Sequence, residues 1–325
     1  MKVCIYGAGA IGGYLAFSLA KAGVDTSIVA RGTHLQAIRD RGLTLRRDDS
    51  EETVAVRATD TPEELGPQDY VFVTLKAHSV PPVAERIASL FHDKTAVVMA
   101  VNGLPWWYFY RHGGALENTI LESVDPGGVQ WRVFGPERAI GCIVYPACEV
   151  EEPGVVRVID GDRFVLGEPS GETTERVTRL ADLLKAGGLK APVKSRIRDD
   201  IWIKLWGNLS FNPVSALTTG TLEQMCRHPE TRAVIRSMML EAQAVGEALG
   251  VRFAINVEKR IAGGEAVGAH KTSMLQDLER GRPMEIDALV GSVQEVARRL
   301  NLPTPTIDIV LGLVKLRATL AGAYP

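Results

Sequence analysis

A strand, a glycine turn and a helix come first in this chain, and this combination constrains the fold more than any other feature of the sequence. Residues 2–6 form a β-prone run, and residues 14–22 are good helix formers. A second β-prone run, residues 25–30, follows the helix. The sequence therefore predicts a βαβ unit. The turn between the first strand and the helix contains three glycines: Gly7, Gly9 and Gly12.

The spacing of these glycines is typical of a dinucleotide-binding turn. The first glycine allows a tight turn, the second lets the backbone approach a pyrophosphate, and the third permits close packing of the helix on the strand. The helix N-terminus then faces the negative charge. The alternative is a glycine-rich turn without a ligand, but the strand before the turn and the helix after it favour a cofactor. The predicted cofactor-binding residues of the turn are Gly7, Gly9, Ala10, Ile11 and Gly12.

Arg31 follows the second predicted strand, at the position where NAD-preferring sites carry Asp or Glu for the ribose 2′-hydroxyl. After Arg31 there is no acidic residue until Asp40. A guanidinium suits a 2′-phosphate and suits a hydroxyl poorly. The alternative is a solvated loop arginine. We therefore predict that the cofactor is NADP(H) rather than NAD(H), and that Arg31 binds it.

Lys76 and Asn102 come directly after two further apolar runs, residues 70–75 and 95–101. Such near-continuous runs are typical of parallel strands that are buried on both faces. Because ligands bind outside the carboxyl ends of parallel strands, both side chains are predicted to face the same crevice as the glycine turn. A solvated lysine and a simple Asn102-Gly103 turn are the alternatives.

The pattern of the sequence changes from about residue 139. Short β-prone runs at residues 139–150, 155–160 and 163–166 predict a meander that closes the first domain, before a helix at 172–185 and a strand at 189–194. After Ser195 the predicted elements are all helices, the first of which is expected to end before Pro213: 197–211, 229–249, 274–280, 284–300 and 306–321.

The predicted fold class is therefore α/β with two domains. Residues 1–195 are predicted to form a Rossmann-like parallel sheet domain, and residues 196–325 an all-α domain. The size of the chain, 325 residues, agrees with about two domains.

The composition excludes several classes of protein. The chain has 37 Lys and Arg against 39 Asp and Glu, a formal charge of −2, which excludes a strongly basic nucleic-acid binder. No apolar run approaches the ~18 residues of a membrane span, and the histidines lack metal-ligand spacing, so no metal is expected. The four cysteines are scattered and the first strand starts at Lys2. We therefore expect a cytoplasmic protein without disulfides or a signal peptide.

Lys204, Asn208 and Asn212 fall on one face of the predicted helix at 197–211 and its extension, and two tryptophans fall on the opposite face. The alternative is a solvent-facing polar stripe. Solvent-facing stripes favour Glu and Lys, however, and asparagine disfavours helix, which indicates that the two asparagines have another role.

Ser273 and Glu285 belong to a second polar cluster in the C-terminal part of the chain. Ser273 has Gln276 three residues later, so a helix cap is the alternative to a functional role. Glu285 follows Pro283 in a first helical turn, where an acidic residue favours the helix dipole without any function.

Together these motifs resemble the ketopantoate reductases (2-dehydropantoate 2-reductases), in order and spacing, from end to end of the chain. The resemblance implies an NADP-binding Rossmann domain before a helical domain of the 6-phosphogluconate dehydrogenase C-terminal type. It also implies NADPH-dependent reduction of a 2-oxo acid, 2-dehydropantoate, to (R)-pantoate in pantothenate biosynthesis. The motifs are Gly7-Ala-Gly-Ala-Ile-Gly12, Lys76-Ala77, Asn102-Gly103, Trp202-x-Lys204-x3-Asn208-x3-Asn212-Pro213 and Ser273-Met-Leu-Gln-Asp277-x7-Glu285-Ile-Asp287.

The same resemblance implies roles for individual residues. Lys204 would be the general acid, and Glu285 would hold a substrate hydroxyl or orient Lys204. Lys76 and Asn102 would help to order the nicotinamide side and the substrate. A positioned ammonium suits this chemistry, because it stabilises the negative charge that develops on the carbonyl oxygen and can supply a proton. The implied substrate-binding residues are Asn102, Asn208, Asn212 and Ser273.

Two features depart from the family pattern, both on the substrate side. His270 stands where the family commonly has an asparagine, and Trp106-Trp-Tyr-Phe-Tyr110 opens a longer segment than the family usually has. The aromatic run has three interpretations: an enlarged apolar pocket, a cover for a domain interface, or core. There are therefore two alternative functions. One is reduction of a different or bulkier carbonyl substrate, and the other is a non-catalytic NADP-binding sensor. The apolar helical domain and the exposed-looking aromatic run favour a homodimer.

Overall fold

Strands form most of the first half of the chain in the computed structural model, which describes residues 1–48 and 50–324. Eleven strands lie within these described residues. Their bounds are β1 Lys2–Tyr6, β2 Asp25–Val29, β3 Leu43–Arg47, β4 Ser50–Val54, β5 Arg57–Thr59, β6 Tyr70–Val73, β7 Ala96–Met99, β8 Ala139–Val144, β9 Ala147–Glu152, β10 Val155–Asp160 and β11 Phe164–Gly167.

Seven of these strands make the main sheet, in the order β11-β8-β7-β6-β1-β2-β5. All neighbouring strands pair in parallel, except β8 and β11, which pair antiparallel. The central strands β1, β6 and β7 are rich in apolar residues and almost fully buried, as expected for a parallel sheet that is covered on both faces. The Rossmann-like parallel sheet predicted from the sequence is therefore confirmed.

The other four strands make a smaller sheet, in the order β4-β3-β10-β9. The prediction of one meander over residues 139–166 is therefore wrong, because β8 and β11 join the main sheet whereas β9 and β10 join β3 and β4. The sequence pattern did not predict β4, since this strand is mostly exposed and contains Ser50-Glu-Glu-Thr-Val54 rather than an apolar alternation. An exposed polar strand has no hydrophobic period to detect.

The predicted strand at residues 189–194 is also wrong. This segment makes only two isolated bridges, one between Arg163 and Lys190 and one between Leu166 and Val193. Pro192 lies between the two bridges and has no N–H to donate to a ladder. The segment therefore runs beside β11 without becoming a full strand.

Helices make up most of the second half of the chain. No described helix is long and apolar enough to cross a membrane. A π-helical turn, Asp287–Gly291, leads into the eleventh of twelve α-helices within residues 1–48 and 50–324. Their bounds are α1 Ala10–Lys21, α2 Gly32–Arg41, α3 Ala84–Ala88, α4 Val129–Phe134, α5 Glu175–Ala186, α6 Ile197–Thr218, α7 Leu222–Arg227, α8 Pro229–Ala248, α9 Val257–Ala266, α10 Ser273–Glu279, α11 Ser292–Arg299 and α12 Pro305–Leu320.

The chain forms two compact units, which we call the sheet unit and the helical unit. The sheet unit comprises Met1–Val101, Trp107–Ile120 and Gly128–Ile197. The helical unit comprises Asn102–Trp106, Leu121–Gly127 and the described chain from Arg198 onward. Sequence analysis set the boundary after residue 195, and it did not expect the two short earlier segments in the helical unit.

Helix α6, with 22 residues, is the longest helix of the described chain. Trp202 and Trp206 on this helix are fully buried, and the Trp206 Nε1–H donates to the Met239 carbonyl at 2.6 Å. The predicted end of this helix before Pro213 is wrong, because α6 continues to Thr218. Pro213 has no N–H to donate within the helix, but its neighbours Phe211 and Val214 are buried. Continuing the helix keeps this apolar surface out of water, which outweighs one lost hydrogen bond.

Candidate active site

The glycine turn of the sheet unit is held tightly at its first and third glycines. Gly7 has a φ of +117°, and its N–H donates to the Val29 carbonyl at 3.1 Å. A Cβ at position 12 would lie 1.9 Å from the Gly7 carbonyl oxygen, so only glycine fits there without a shift. The Thr74 hydroxyl donates to the same oxygen at 2.6 Å. These contacts fix the turn between β1 and α1.

The second glycine of the turn faces open space. A Cβ at Gly9 would meet no atom within 4 Å. Gly9 is the N-cap of α1, has no capping side-chain hydrogen bond, and precedes a first turn without an acidic residue. Ala10 and Ile11, at the start of this helix, are half-buried. An open helix N-terminus of this kind can bind a phosphate group through its N–H groups and dipole.

Arg31 is exposed at the N-cap of α2, directly after β2. Within residues 1–48 and 50–324 its side chain makes no hydrogen bond and no ion pair, so its guanidinium is available to a ligand. The charge of Arg31 also acts on Tyr6: burial raises the pKa of Tyr6, and the positive charges of Arg86 and Arg31 oppose that rise.

Lys76 lies after β6 and is half-buried. It is the N-cap of a short 3-10 turn, Ala77–Ser79.

In the helical unit, Lys204, Asn102 and Glu285 form a hydrogen-bonded row. The Lys204 Nζ donates to Asn102 Oδ1 at 2.8 Å, and the Asn102 Nδ2 donates to Glu285 Oε2 at 3.3 Å. All three residues are half-buried. An ammonium can only donate and a carboxylate can only accept, so an amide between them satisfies both. The row therefore fixes which way the Asn102 amide points.

The backbone after Asn102 is anchored in the helical unit by the π-helical turn. Gly103 has a φ of +96°, and a Cβ there would lie 2.3 Å from the Ala288 carbonyl oxygen. The Leu104 N–H donates to that oxygen at 3.3 Å. The Asn102-Gly103 pair is thus a close packing contact as well as a turn, and it holds the Asn102 side chain towards Lys204.

The backbone around Glu285 is anchored by the C-terminal residues of the helical unit. The Met284 N–H donates to the Ala323 carbonyl at 2.9 Å. Asp287, two residues after Glu285, accepts from the Tyr324 hydroxyl at 2.8 Å and pairs with the Lys315 Nζ at 2.7 Å. Sequence analysis did not single out this Asp287–Lys315–Tyr324 cluster, because its members are far apart in the sequence.

Two family profiles match this chain and together cover most of it. The profile "Ketopantoate reductase PanE/ApbA" matches residues 3–171, and "Ketopantoate reductase PanE/ApbA C terminal" matches residues 196–318. This chain belongs to the ketopantoate reductase family. The family resemblance drawn from the motifs is confirmed. Members of this family are nicotinamide-dependent oxidoreductases that act on CH–OH groups.

Individual relatives match over the full length of the chain. A 2-dehydropantoate 2-reductase from Mesorhizobium japonicum is 60% identical over 325 residues, which is 100% of both chains. A 2-dehydropantoate 2-reductase from Archaeoglobus fulgidus is 28% identical and 97% of each chain is covered. A crystal structure from Ralstonia solanacearum, assigned to the ketopantoate reductases, has a TM-score of 0.95 and 42% identity, with 99% of each chain covered.

The other substrate residues implied by the family resemblance lie on α6 and α10. Asn208 and Asn212 follow Lys204 at successive turns of α6, the first half-buried and the second buried. Ser273 is exposed at the first position of α10. The alternative interpretation of Ser273 as a helix cap is wrong, because Thr272 is the N-cap and its Oγ1 accepts from the Leu275 N–H. The roles of these residues in this chain stay predictions.

The aromatic run, residues 106–110, is not an exposed surface. The four residues from Trp106 to Phe109 are at most 3% exposed, and Tyr110 is half-buried. The expectation of an exposed run is wrong, because side chains of this size lose a large hydrophobic contribution when they are left in water. This burial favours packing in the interior over the lining of an open pocket.

Sequence analysis missed Thr74, which follows β6 and donates from its hydroxyl to the Gly7 carbonyl of the glycine turn. It is the one hydroxyl-bearing aliphatic residue in the predicted strand at residues 70–75, and this exception to an apolar run was the available signal.

In the part of the chain that the structure describes, no group of His, Cys, Asp or Glu side chains could hold a metal ion.

Proposed function

We propose that this enzyme reduces 2-dehydropantoate to (R)-pantoate with NADPH, a reaction of pantothenate biosynthesis. The observation that carries the proposal is the hydrogen-bonded row of Lys204, Asn102 and Glu285 in a chain that is 60% identical, end to end, to a 2-dehydropantoate 2-reductase. A sensor that only binds a cofactor has no use for a positioned proton donor, so the row favours catalysis.

The glycine turn and Arg31 support NADP(H) as the cofactor. Gly7 and Gly12 shape the turn, while Gly9, Ala10 and Ile11 would present the N–H groups of α1 to the pyrophosphate. The exposed guanidinium of Arg31 suits the 2′-phosphate that distinguishes NADP from NAD. Lys76 and Asn102 would bind on the nicotinamide side.

We expect Arg31→Glu to reverse the cofactor preference. The carboxylate would repel a 2′-phosphate but accept a hydrogen bond from a ribose hydroxyl. Steady-state kinetics should give a kcat/KM for NADPH at least about 10-fold lower, about 1.4 kcal/mol, with no such loss for NADH. Arg298→Glu, at another exposed arginine, is the control. An equal loss with both cofactors would contradict the role of Arg31.

Lys204 would be the general acid. When bound, the cofactor supplies a hydride to the carbonyl carbon. The Lys204 ammonium stabilises the negative charge on the carbonyl oxygen and transfers a proton to it. Asn102 orients this ammonium, and Glu285 orients Asn102 and can accept a substrate hydroxyl. Asn208, Asn212 and Ser273 would bind the remaining polar groups of the substrate.

The test is NADPH oxidation, followed by absorbance, with 2-dehydropantoate and a panel of other 2-oxo acids. We expect 2-dehydropantoate to have the highest kcat/KM. Lys204→Met should lower kcat at least about 100-fold, in the range of general acid catalysis, with little change in NADPH binding. Lys259→Met, at an exposed lysine on α9, should keep full activity. Activity only with other 2-oxo acids would contradict the substrate, and full turnover of Lys204→Met would contradict the acid.

Asn102→Asp tests whether the Asn102 amide orients the Lys204 ammonium or only fills the space at this position. An aspartate has nearly the same shape and still accepts from Lys204, but it cannot donate to Glu285 and places two carboxylates together. We expect kcat to fall at least as far as in Asn102→Ala. A kcat for Asn102→Asp near that of the wild type would contradict the orienting role.

The cysteines support a cytoplasmic location. All four are free, three of them are buried, and Cys148 is half-buried. Burial raises the pKa of Cys4 and of Cys148 to about 12, so both remain thiols at neutral pH. Free buried thiols are typical of a reducing compartment.

The proposal also includes a homodimer, which the exposed apolar residues of α12 support.

A further inference from the structure

The sheet unit contains a cavity of about 540 Å³ beside the C-terminal half of α1. Strands β3 and β4 and the end of α5 form its other walls. This volume lies within the roughly 300–1,000 Å³ range of small-molecule sites in proteins. The residues of α1 and β3 that line the cavity include Tyr14, Phe17, Ser18, Lys21, Leu45 and Arg47.

Helical spacing brings the four α1 residues of the cavity to one face of the helix. Tyr14, Phe17, Ser18 and Lys21 occupy positions i, i+3, i+4 and i+7. The glycine turn lies at the other end of the same helix, and at a rise of 1.5 Å per residue Ser18 is about 14 Å along the axis from Gly9. The cavity and the proposed cofactor site therefore share a helix, but they share no lining residue.

Ser18 is a buried polar residue with an unused hydroxyl. It is 3% exposed, and in the part of the chain that the structure describes its hydroxyl makes no hydrogen bond. Two other buried helical serines donate to the carbonyl four residues earlier: Ser210 to Trp206 at 2.8 Å, and Ser292 to Ala288 at 2.7 Å. A buried hydroxyl without a partner costs free energy. Because Ser18 lines the cavity, a molecule bound there can satisfy its hydroxyl.

Arg47 supplies a positive charge to the wall of the cavity. Its Nη2 donates to the Tyr14 hydroxyl at 2.6 Å, and its guanidinium lies over the Tyr14 ring, with the Cζ 5.7 Å from the ring centroid. Among the described side chains Arg47 makes no ion pair. The two contacts with Tyr14 hold the guanidinium in place, and its other N–H groups can donate to an anion.

The other charged side chains of the cavity form ion pairs. Lys21 pairs with Glu52 at 2.5 Å, and Glu51 pairs with Arg46 at 2.5 Å. The charge of Arg47 therefore lies beside two carboxylates that already have partners. A single carboxylate on a ligand matches this one charge, whereas Glu51 and Glu52 would repel the second charge of a phosphate dianion.

The remaining surface of the cavity suits an apolar body. The Phe17 ring is 4% exposed and Leu45 is half-buried. The end of α5 comes close to α1 at Gly187, where a Cβ would lie 2.7 Å from the Ser18 carbonyl oxygen. Apolar and aromatic walls with a few placed polar groups are typical of small-molecule sites.

We propose that this cavity binds a small monocarboxylate that has an apolar body and a second polar group. The carboxylate accepts from the Arg47 guanidinium, the body packs on Phe17 and Leu45, and the second polar group binds the Ser18 hydroxyl. This site lies outside the site of the reduction, so the inference does not depend on the proposed function.

The first test is binding of 3-(4-hydroxyphenyl)propanoate to the full chain, with and without NADPH, followed by saturation-transfer NMR. We expect a Kd of about 1–10 mM in both conditions, as for a typical ligand of about 12 non-hydrogen atoms. The neutral analogue 3-(4-hydroxyphenyl)propanamide should bind at least about 10-fold more weakly, because it lacks the charge that pairs with Arg47.

Two variants perturb the cavity in different ways, and thermal unfolding checks that each is folded. Arg47→Met should remove the preference for the acid over the amide, whereas Arg157→Met, at an exposed arginine of β10 outside the cavity, should keep it. Ala186→Trp adds bulk from the exposed end of α5 and should raise the Kd of the acid at least about 10-fold.

The second test locates the bound molecule. Ser18→Cys places a thiol in the cavity, and peptide mass spectrometry follows its reaction with methyl methanethiosulfonate separately from that of the four native cysteines. We expect the acid to protect this thiol, with half-protection near its Kd. Any of these results would overturn the proposal: no saturable binding, equal affinity for acid and amide, an unchanged preference in Arg47→Met, or an introduced thiol that does not react or is not protected.

Discussion

Replacing Gly12 by alanine tests whether the glycine turn serves the fold as well as the cofactor. The new Cβ would lie 1.9 Å from the Gly7 carbonyl oxygen and 2.5 Å from Thr74 Oγ1. Neither atom can rotate away, because the first belongs to the backbone and the second donates to it at 2.6 Å. We therefore expect the upper end of the overpacking range, about 3 kcal/mol. For a domain of this size that corresponds to a Tm lower by about 6–12 °C.

Gly9→Ala is the matched control, because it adds the same methyl group to the same turn without a steric clash. Its Cβ would meet no atom within 4 Å, and its φ of −66° suits alanine. We expect an unchanged Tm, together with an NADPH Kd at least about 10-fold higher, about 1.4 kcal/mol, since the methyl occupies space at the N-terminus of α1. Gly12→Ala should lose both stability and binding.

The assays are thermal unfolding without cofactor, followed by circular dichroism, and NADPH binding, followed by fluorescence titration. A similar loss of Tm in both variants would refute the separation of a folding role for Gly12 from a binding role for Gly9. Unchanged NADPH binding in Gly9→Ala would refute the binding role, whatever the stability.

Two further predictions concern the helical unit. Burial acts to raise the pKa of Glu295, but hydrogen bonds from the Ser123 N–H and hydroxyl and from Arg299 and Glu122 outweigh it and lower that pKa below 4.5. The carboxylate therefore stabilises the fold above about pH 4.5 and loses this effect as the pH falls through the lowered pKa. We expect Glu295→Gln to lower the free energy of unfolding at pH 7 by about 1.5–3 kcal/mol and, in acid titrations, to make the fold less sensitive to acid. Equal acid sensitivity of the variant and the wild type would contradict this role of Glu295. Tyr324→Phe removes the hydrogen bond to Asp287, two residues after Glu285. We expect kcat to fall about 3- to 10-fold, which corresponds to up to about 1.4 kcal/mol, with the KM for NADPH unchanged. A lower Tm with full kcat would mean that Tyr324 has a purely structural role.

The sequence predicted the parallel sheet well because its strands carry strong local signals. β1, β6 and β7 are apolar and buried, and the glycines before α1 leave few alternatives to a strand–turn–helix unit. The exposed strand β4 has no such signal. Helix α6 was cut short in the prediction, because a proline breaks a helix by local rules, whereas burial in the helical unit decides the outcome.

The sequence predicts residues for the candidate site, but it does not predict their contacts. Lys204 stood out through the helical spacing of the polar residues that follow it, and Glu285 through its motif. The bond from Lys204 to Asn102 joins residues 102 positions apart, and no periodicity reaches that far. The anchoring of Glu285 by the C-terminal residues depends in the same way on tertiary contacts.

Asn102 shows most clearly how this chain brings the residues of its candidate site together. By sequence it belongs to the end of a strand, yet it starts a segment of the helical unit, Asn102–Trp106. The change occurs at once because Gly103 has no Cβ and can lie against the Ala288 carbonyl. An amide is then the side chain that can accept from Lys204 and donate to Glu285 together. The Asn102-Gly103 pair thus meets two requirements: the glycine brings the backbone close, and the asparagine joins the Lys204 ammonium to the Glu285 carboxylate.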